Sequence, residues 1–188
     1  MHKLAPTALA MLSVLGSSDA IAAATPTTTP IVRTDDGALM GTTTGAMNEF
    51  LGIPYAAPPT GALRWQPPAP VAAWHGLRDA THFGANCAQP ASPYGIASTS
   101  EDCLFLNVYS PRGVPAHSRL PVMVWIHGGA FSYGESNDFD PAPLVAHGIV
   151  VVTVNYRLGA LGFLADASLG EHGVGASLAS AGDYGLLD

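Results

Sequence analysis

The sequence predicts an α/β fold, and three observations carry that prediction. Two continuous apolar runs, Val122–Ile126 and residues 149–154, are rich in Val and Ile, as strands covered on both faces are. Between them "DPAPLVAHG", residues 140–148, has the marks of a short helix: Asp140 as cap, Pro141 at the first position and Gly148 as the stop. Strand, helix, strand in that order implies a right-handed crossover between parallel strands.

The elements follow in chain order. Lys3 precedes an apolar run from Leu4 to Leu15, and "DAIAAATP" offers small-residue cleavage sites ending at Ala22 or Ala24, so residues 1–24 read as a cleavable signal peptide. The apolar run is too short for the roughly 20 residues of a membrane span, and no later segment of the 188 reads as one. An exported protein, secreted or periplasmic, is the expectation. Residues 25–30 read as a Thr/Pro linker. From 31 to 44, short extended runs flank Asp36-Gly37, a dipeptide suited to a two-residue hairpin turn. Prolines then crowd residues 54–70. They remove ladder donors and fix φ, which predicts an irregular, rigid surface segment. A further strand is expected at 104–109, ahead of the two central ones.

Composition excludes whole classes of function. At 48% hydrophobic and 11% charged residues, the chain has a globular composition. Setting aside Lys3 and Asp19 with the signal leaves six arginines against thirteen acids and a net charge of −7. Six scattered arginines make no basic surface for phosphates, so nucleic acid is not an expected partner. The seven histidines include no H-E-x-x-H and no pair at ligand spacing with a carboxylate partner, so no metal is implied. Cys87 and Cys103 are the two cysteines. In an oxidising compartment they are expected to pair, the alternative being two buried free thiols.

The chemistry sits in "VMVWIHGGAF", where an apolar strand runs into His127, Gly128, Gly129, Ala130 and Phe131. Groups that act on ligands gather at the carboxyl ends of strands in α/β sheets, and a Gly-rich turn there lets backbone N–H groups face an anion. That anion is either a phosphate or the oxyanion of an acyl-transfer intermediate; a turn kept for packing alone is the third reading. A phosphate loop requires G-x-x-x-x-G-K-[ST], and beyond residue 24 the chain has no lysine. The HGGG-type motif is what esterases and lipases place after a sheet strand as an oxyanion hole, and here Ala130 stands in place of its third Gly, which keeps the main-chain donor.

Five stretches in order, "FLGIPYAAPPTGALRWQPP", "SEDCLFLNVYSP", "LPVMVWIHGGAF", "VVVTVNYRLGALGFL" and "GDYGLLD", make residues 31–188 resemble the N-terminal part of the type-B carboxylesterase family. That family includes cholinesterases and bacterial esterases with the α/β-hydrolase fold, a mixed, mostly parallel central sheet. The resemblance makes Gly129 and Ala130 the backbone oxyanion donors, with His127, Gly128 and Phe131 as loop support. It implies that His127 orients the loop and is not the catalytic base. It also implies a Cys87–Cys103 disulfide, an Arg64–Glu101 ion pair, and internal hydrogen-bonding and ion-pair roles for Asn155 and Arg157. The expected substrate is a small carboxylic ester, and no cofactor is implied.

The family's nucleophile sits in a G-x-S-x-G elbow, with the acid and His of the triad further along. None of the three is found in these 188 residues. The nearest imitation, "GASLA" around Ser177, lacks the last Gly and follows no strand. Read as they stand, the 188 residues are expected to be an inactive N-terminal part of a carboxylic ester hydrolase, truncated before the elbow. The alternatives are a non-catalytic cholinesterase-like binding or adhesion protein and a non-functional truncated product.

Overall fold

The structure, a computed structural model, describes residues 29–115, 117–164, 166 and 182–188. Residues 1–24 and Ser177 lie outside the described residues. Two sheets form. In the smaller, β1 (Ile31–Arg33) pairs antiparallel with β2 (Ala38–Met40), which pairs parallel with β5 (Leu77–Asp79). The larger contains β3 (Thr42–Thr44), β4 (Met47–Pro54), β6 (Phe105–Pro111), β7 (Val122–Ile126) and β8 (Val150–Val154), in the order β3-β4-β6-β8-β7.

The mixed sheet carries the α/β expectation. The parallel crossover is where it was expected, with β7 pairing β8 from Val122↔Val150 to Ile126↔Val154. The other three pairings of the larger sheet are antiparallel. Helix α1 (Ala142–Ala146) spans the crossover. Asp140 Oδ1 accepts the Ala142 N–H at 3.0 Å, and Gly148, at φ 80°, stops the helix where a side chain would strain the backbone.

Three features depart from expectation. The hairpin pairs Arg33 with Ala38, so its loop holds four residues and not two. Thr34 closes it, its N–H and Oγ1 both donating to the Gly37 carbonyl, at 2.8 and 3.0 Å, which supplies the turn contact that a bare Asp-Gly would make alone. Strand β4 was not foreseen, because "MNEFLGIP" alternates poorly and ends in Gly and Pro. Its register shifts between Phe50 and Ile53, and there Gly52, at φ 62°, gives its N–H to Asn107 Oδ1 at 2.9 Å. This bulge hides the strand's period. Strand β7, expected to be covered on both faces, is instead exposed, Val124 at 57% and Ile126 at 67%. Among the described residues only β8 pairs with it.

Among the described residues the core has three parts. Val145 of α1 meets Leu51, Tyr109 and Val151 on one face of the larger sheet. Leu39, Phe50 and Ala80 join the two sheets. Cys87, Cys103, Leu104, Tyr156 and Leu158 pack beyond the end of β8, where Cys87 and Cys103 are disulfide-bonded. The buried polar residue Asn107 donates to Ser136 Oγ at 3.0 Å and Thr153 Oγ1 at 2.9 Å, so burial leaves it paired. Helix α2 (Gly159–Phe163) closes the chain's return from β8.

Candidate functional site

The carboxyl end of β7 releases the chain into His127, Gly128 and a run of left-handed backbone: Gly129 at φ 121°, Ala130 at 51° and Phe131 at 60°. Two of these carry side chains, in a region that costs an L-residue roughly 1–2 kcal/mol. Such a run persists only when its surroundings impose it. Several contacts do so. Gly129 O accepts the N–H groups of Ser132 at 3.0 Å and Tyr133 at 3.2 Å, and the Phe131 carbonyl accepts the Gly159 N–H at 2.7 Å. Gln89 clamps the far end with both halves of its amide. Its Nε2 donates to Gly134 O at 2.9 Å and its Oε1 accepts the Gly134 N–H at 2.7 Å.

The two candidate donor peptides are fixed by their carbonyl ends. In a trans peptide the C=O and N–H point oppositely, and the described residues contain no cis bonds. His127 Nδ1 meets Gly128 O at 2.8 Å; a carbonyl can only accept, so Nδ1 carries the proton. That bond aims the Gly129 N–H away from the ring. The Gly129 carbonyl, held by Ser132 and Tyr133, aims the Ala130 N–H in the same manner. Among the described residues, none accepts from either N–H.

The loop lines a cavity of about 500 Å³ together with Trp125, Tyr94, Tyr133, Glu135 and Asp138. Tyr94 and Tyr133 stack at 5.8 Å between ring centroids. Glu135 is tied down by Asn86 Nδ2 and by the Ile96 N–H at 3.2 Å. The loop closed by the disulfide thus supplies Tyr94 to the wall of the cavity, and its Gln89 and Ile96 hold the lining residues Gly134 and Glu135 in place.

His127 is 5% exposed. Burial is the largest influence on it and lowers its pKa, against smaller opposing effects of the Gly128 hydrogen bond and Glu135. A neutral imidazole suits a ring whose task is to hold a carbonyl. The depressed pKa also sets a sign. Below the ordinary His value of about 6.5 the unfolded chain binds more protons than the folded one, so this contribution is complete above that pH and is lost as pH falls through it. The melting temperature is expected to fall between pH 7.5 and 5.5, and to fall less in His127→Gln. Parallel curves for the two proteins would refute the assignment.

The other sequence-predicted residues take structural places. Arg64 binds Glu101 through Nε and Nη2, both at 2.5 Å. Glu101 holds the guanidinium pKa up, but this pair is well exposed and solvent screening keeps its contribution small. Asn155 accepts the Ser136 N–H at 2.8 Å and donates to Ala85 O at 3.2 Å. Arg157 is buried against Asp188, Nε to Oδ2 at 2.7 Å and Nη2 to Oδ1 at 2.5 Å. Sequence reasoning missed Gln89, Tyr156 and the Asp188 partner. Tyr156 and Asp188 stand inside the quoted motifs "NYRLG" and "GDYGLLD", whereas Gln89 carries no local signal. Among the described residues no three His, Cys, Asp or Glu side chains stand together as a metal-binding group.

Comparison with known proteins identifies the family of the chain. Residues 28–188 match the carboxylesterase family. The chain is 45% identical to the fumonisin B1 esterase of Sphingopyxis macrogoltabida over 96% of its own length and 34% of that protein's. It is 43% identical to the para-nitrobenzyl esterase of Bacillus subtilis, over 84% of its length and 32% of that protein's. A crystal structure of the Geobacillus stearothermophilus carboxylesterase superposes with a TM-score of 0.72 at 41% identity, covering 84% of this chain and 31% of that one. The chain therefore spans about a third of the length of its relatives, and its mixed sheet is a part of their α/β-hydrolase fold. With the match extending over all the described residues, the chain belongs to the carboxylesterase family.

Proposed function

We propose that this chain is part of a serine carboxylesterase and supplies two of its oxyanion-hole donors, the N–H groups of Gly129 and Ala130. The observation that carries the reading is the pair of donor peptides pinned by their carbonyls, Gly128 O to the His127 ring and Gly129 O to Ser132 and Tyr133. Preorganised donors of this kind stabilise the charge that develops on an ester carbonyl, at no reorganisation cost during reaction. The nucleophile, acid and base are assigned to sequence outside these 188 residues, which span about a third of the relatives' length.

In that enzyme a serine oxygen attacks the ester carbonyl carbon while a histidine removes its proton. The carbonyl oxygen takes the negative charge and is held by Gly129, Ala130 and one N–H near the serine. Collapse of the intermediate expels the alcohol, which takes the proton from the histidine, and water then releases the acid by the same steps. Support for export, through a signal at residues 1–24, comes from the Cys87–Cys103 disulfide, a bond suited to an oxidising compartment.

The test is hydrolysis of short-chain 4-nitrophenyl esters by the full-length protein. Turnover abolished by a serine-directed organophosphate supports the reading. A folded full-length protein without turnover would reassign the chain to a non-catalytic binding role.

A further inference from the structure

A phenolic hydroxyl taken out of water must find an acceptor. Tyr156, two residues past the end of β8, is 7% exposed, and its hydroxyl donates to the His127 carbonyl at 2.8 Å. Its ring lies on the His127 imidazole with centroids 4.4 Å apart and planes 14° from parallel. One side chain thus holds His127 twice, by the main chain and by the ring.

The hold is transmitted. The His127 carbonyl belongs to the peptide unit just before the one whose C=O is bound by His127 Nδ1 and whose N–H is that of Gly129. If the ring tilts, its Nδ1 leaves Gly128 O, and that peptide is free to turn. The backbone beyond it is strained at Ala130 and Phe131, so a released loop has reason to relax. Gly134 closes the same space, since a Cβ there would stand 2.2 Å from His127 Nδ1 and 2.5 Å from Gly128 O.

We propose that Tyr156 is a positioning residue for the oxyanion hole: by gripping the His127 ring and carbonyl together, it aims the Gly129 N–H at the reacting oxygen. This rests on the ester-hydrolase reading above. Donors must stand within about 0.5 Å of the productive geometry to act, and a polar contact to the carbonyl combined with stacking on the ring constrains His127 in both torsion and tilt. Burial raises the phenol pKa, so the hydroxyl remains a donor throughout the neutral range. A role in packing alone would be served equally by phenylalanine.

The test uses the full-length protein and three variants. Tyr156→Phe keeps the stacked ring and removes the donor; it is expected to lower kcat about tenfold with KM within twofold. Tyr156→Leu removes both and is expected to lower kcat about a hundredfold. Tyr55→Phe is the control. The Tyr55 hydroxyl donates to the adjacent Asn155 carbonyl at 2.6 Å, so its loss removes a comparable bond one residue away and should leave kcat unchanged. The second readout is the His127 side-chain nitrogen resonance, which reports the proton on Nδ1 in the parent and should move toward a tautomeric mixture in Tyr156→Phe but not in Tyr55→Phe. Parent-like kcat and an unmoved His127 resonance in Tyr156→Phe would overturn the proposal, as would equal losses of kcat in Tyr156→Phe and Tyr55→Phe. An inactive parent overturns the esterase reading instead, and the His127 resonance then decides the Tyr156 assignment by itself.

Discussion

On the proposed ester-hydrolase reading, Gly129→Ala in the full-length protein is expected to lower kcat by about 100-fold or more. A Cβ at Gly129 would stand 1.8 Å from the Tyr133 carbonyl oxygen, with φ at 121°. The obstructing atom is backbone, so no rotamer change relieves it, and the conformation itself disfavours any L side chain. The loop has to rebuild. Because the Gly129 carbonyl also binds the Ser132 and Tyr133 N–H groups, rebuilding turns both candidate donors at once. Removal of one oxyanion donor costs about 3–4 kcal/mol, a factor of 100 to 1,000 in rate. The loss should fall on kcat more than on KM, because the donors act on charge that exists only near the transition state. Near-UV circular dichroism establishes that the variant is folded. A companion replaces the Ala130 residue by lactic acid, which exchanges one N–H for an ester oxygen at constant shape and should lower kcat by a similar factor. A kcat within threefold of the parent in both proteins would remove the loop from the catalytic machinery.

How much of this was legible in the sequence depended on whether the signal was local. The β7, α1, β8 crossover was readable because two Val/Ile runs and an Asp-Pro start with a Gly stop are each contained in a few residues. The loop 127–131 was readable for the same reason. Strand β4 was not, since its bulge at Phe50–Ile53 breaks the period-2 pattern on which such a reading depends. Within the site, the candidate donors were found from the motif, and the contacts that aim them were not. Gln89 reaches Gly134 across 45 positions and Tyr156 reaches His127 across 29, and nothing in either short motif states which backbone group its side chain will meet.

Arg157→Ala and Asp188→Asn are each expected to destabilise the protein by about 3–5 kcal/mol, the usual result of removing one partner of a buried ion pair. The side chains are 3% and 0% exposed, and neither charge can be hydrated where it stands. Asp188 satisfies Arg157 through Nε, Nη2 and also its main-chain N–H at 3.0 Å. Arg157 Nη2 also donates to Tyr184 O at 3.5 Å, and Nη1 donates to Gln66 O at 2.8 Å, which joins the Pro-rich segment to the return from β8. With Ala at 157, a carboxylate stays buried without its cation and Gln66 O loses its donor. With Asn at 188, a guanidinium stays buried without its anion. The double variant Arg157→Met/Asp188→Leu removes both charges, so it should be less destabilised than the sum of the two single changes. Urea midpoints for the four proteins at constant m-value give the cycle. Strictly additive losses, or single losses under 1 kcal/mol, would mean that water reaches the pair. The coupling matters for the site because the same short return carries Tyr156 onto His127 and the Gly159 N–H onto the Phe131 carbonyl. On the proposed reading, loosening Arg157 should therefore lower the turnover of esters by the full-length protein at temperatures well below the unfolding midpoint, and a variant that is destabilised yet turns over at the parent rate would separate the ion pair from the donors.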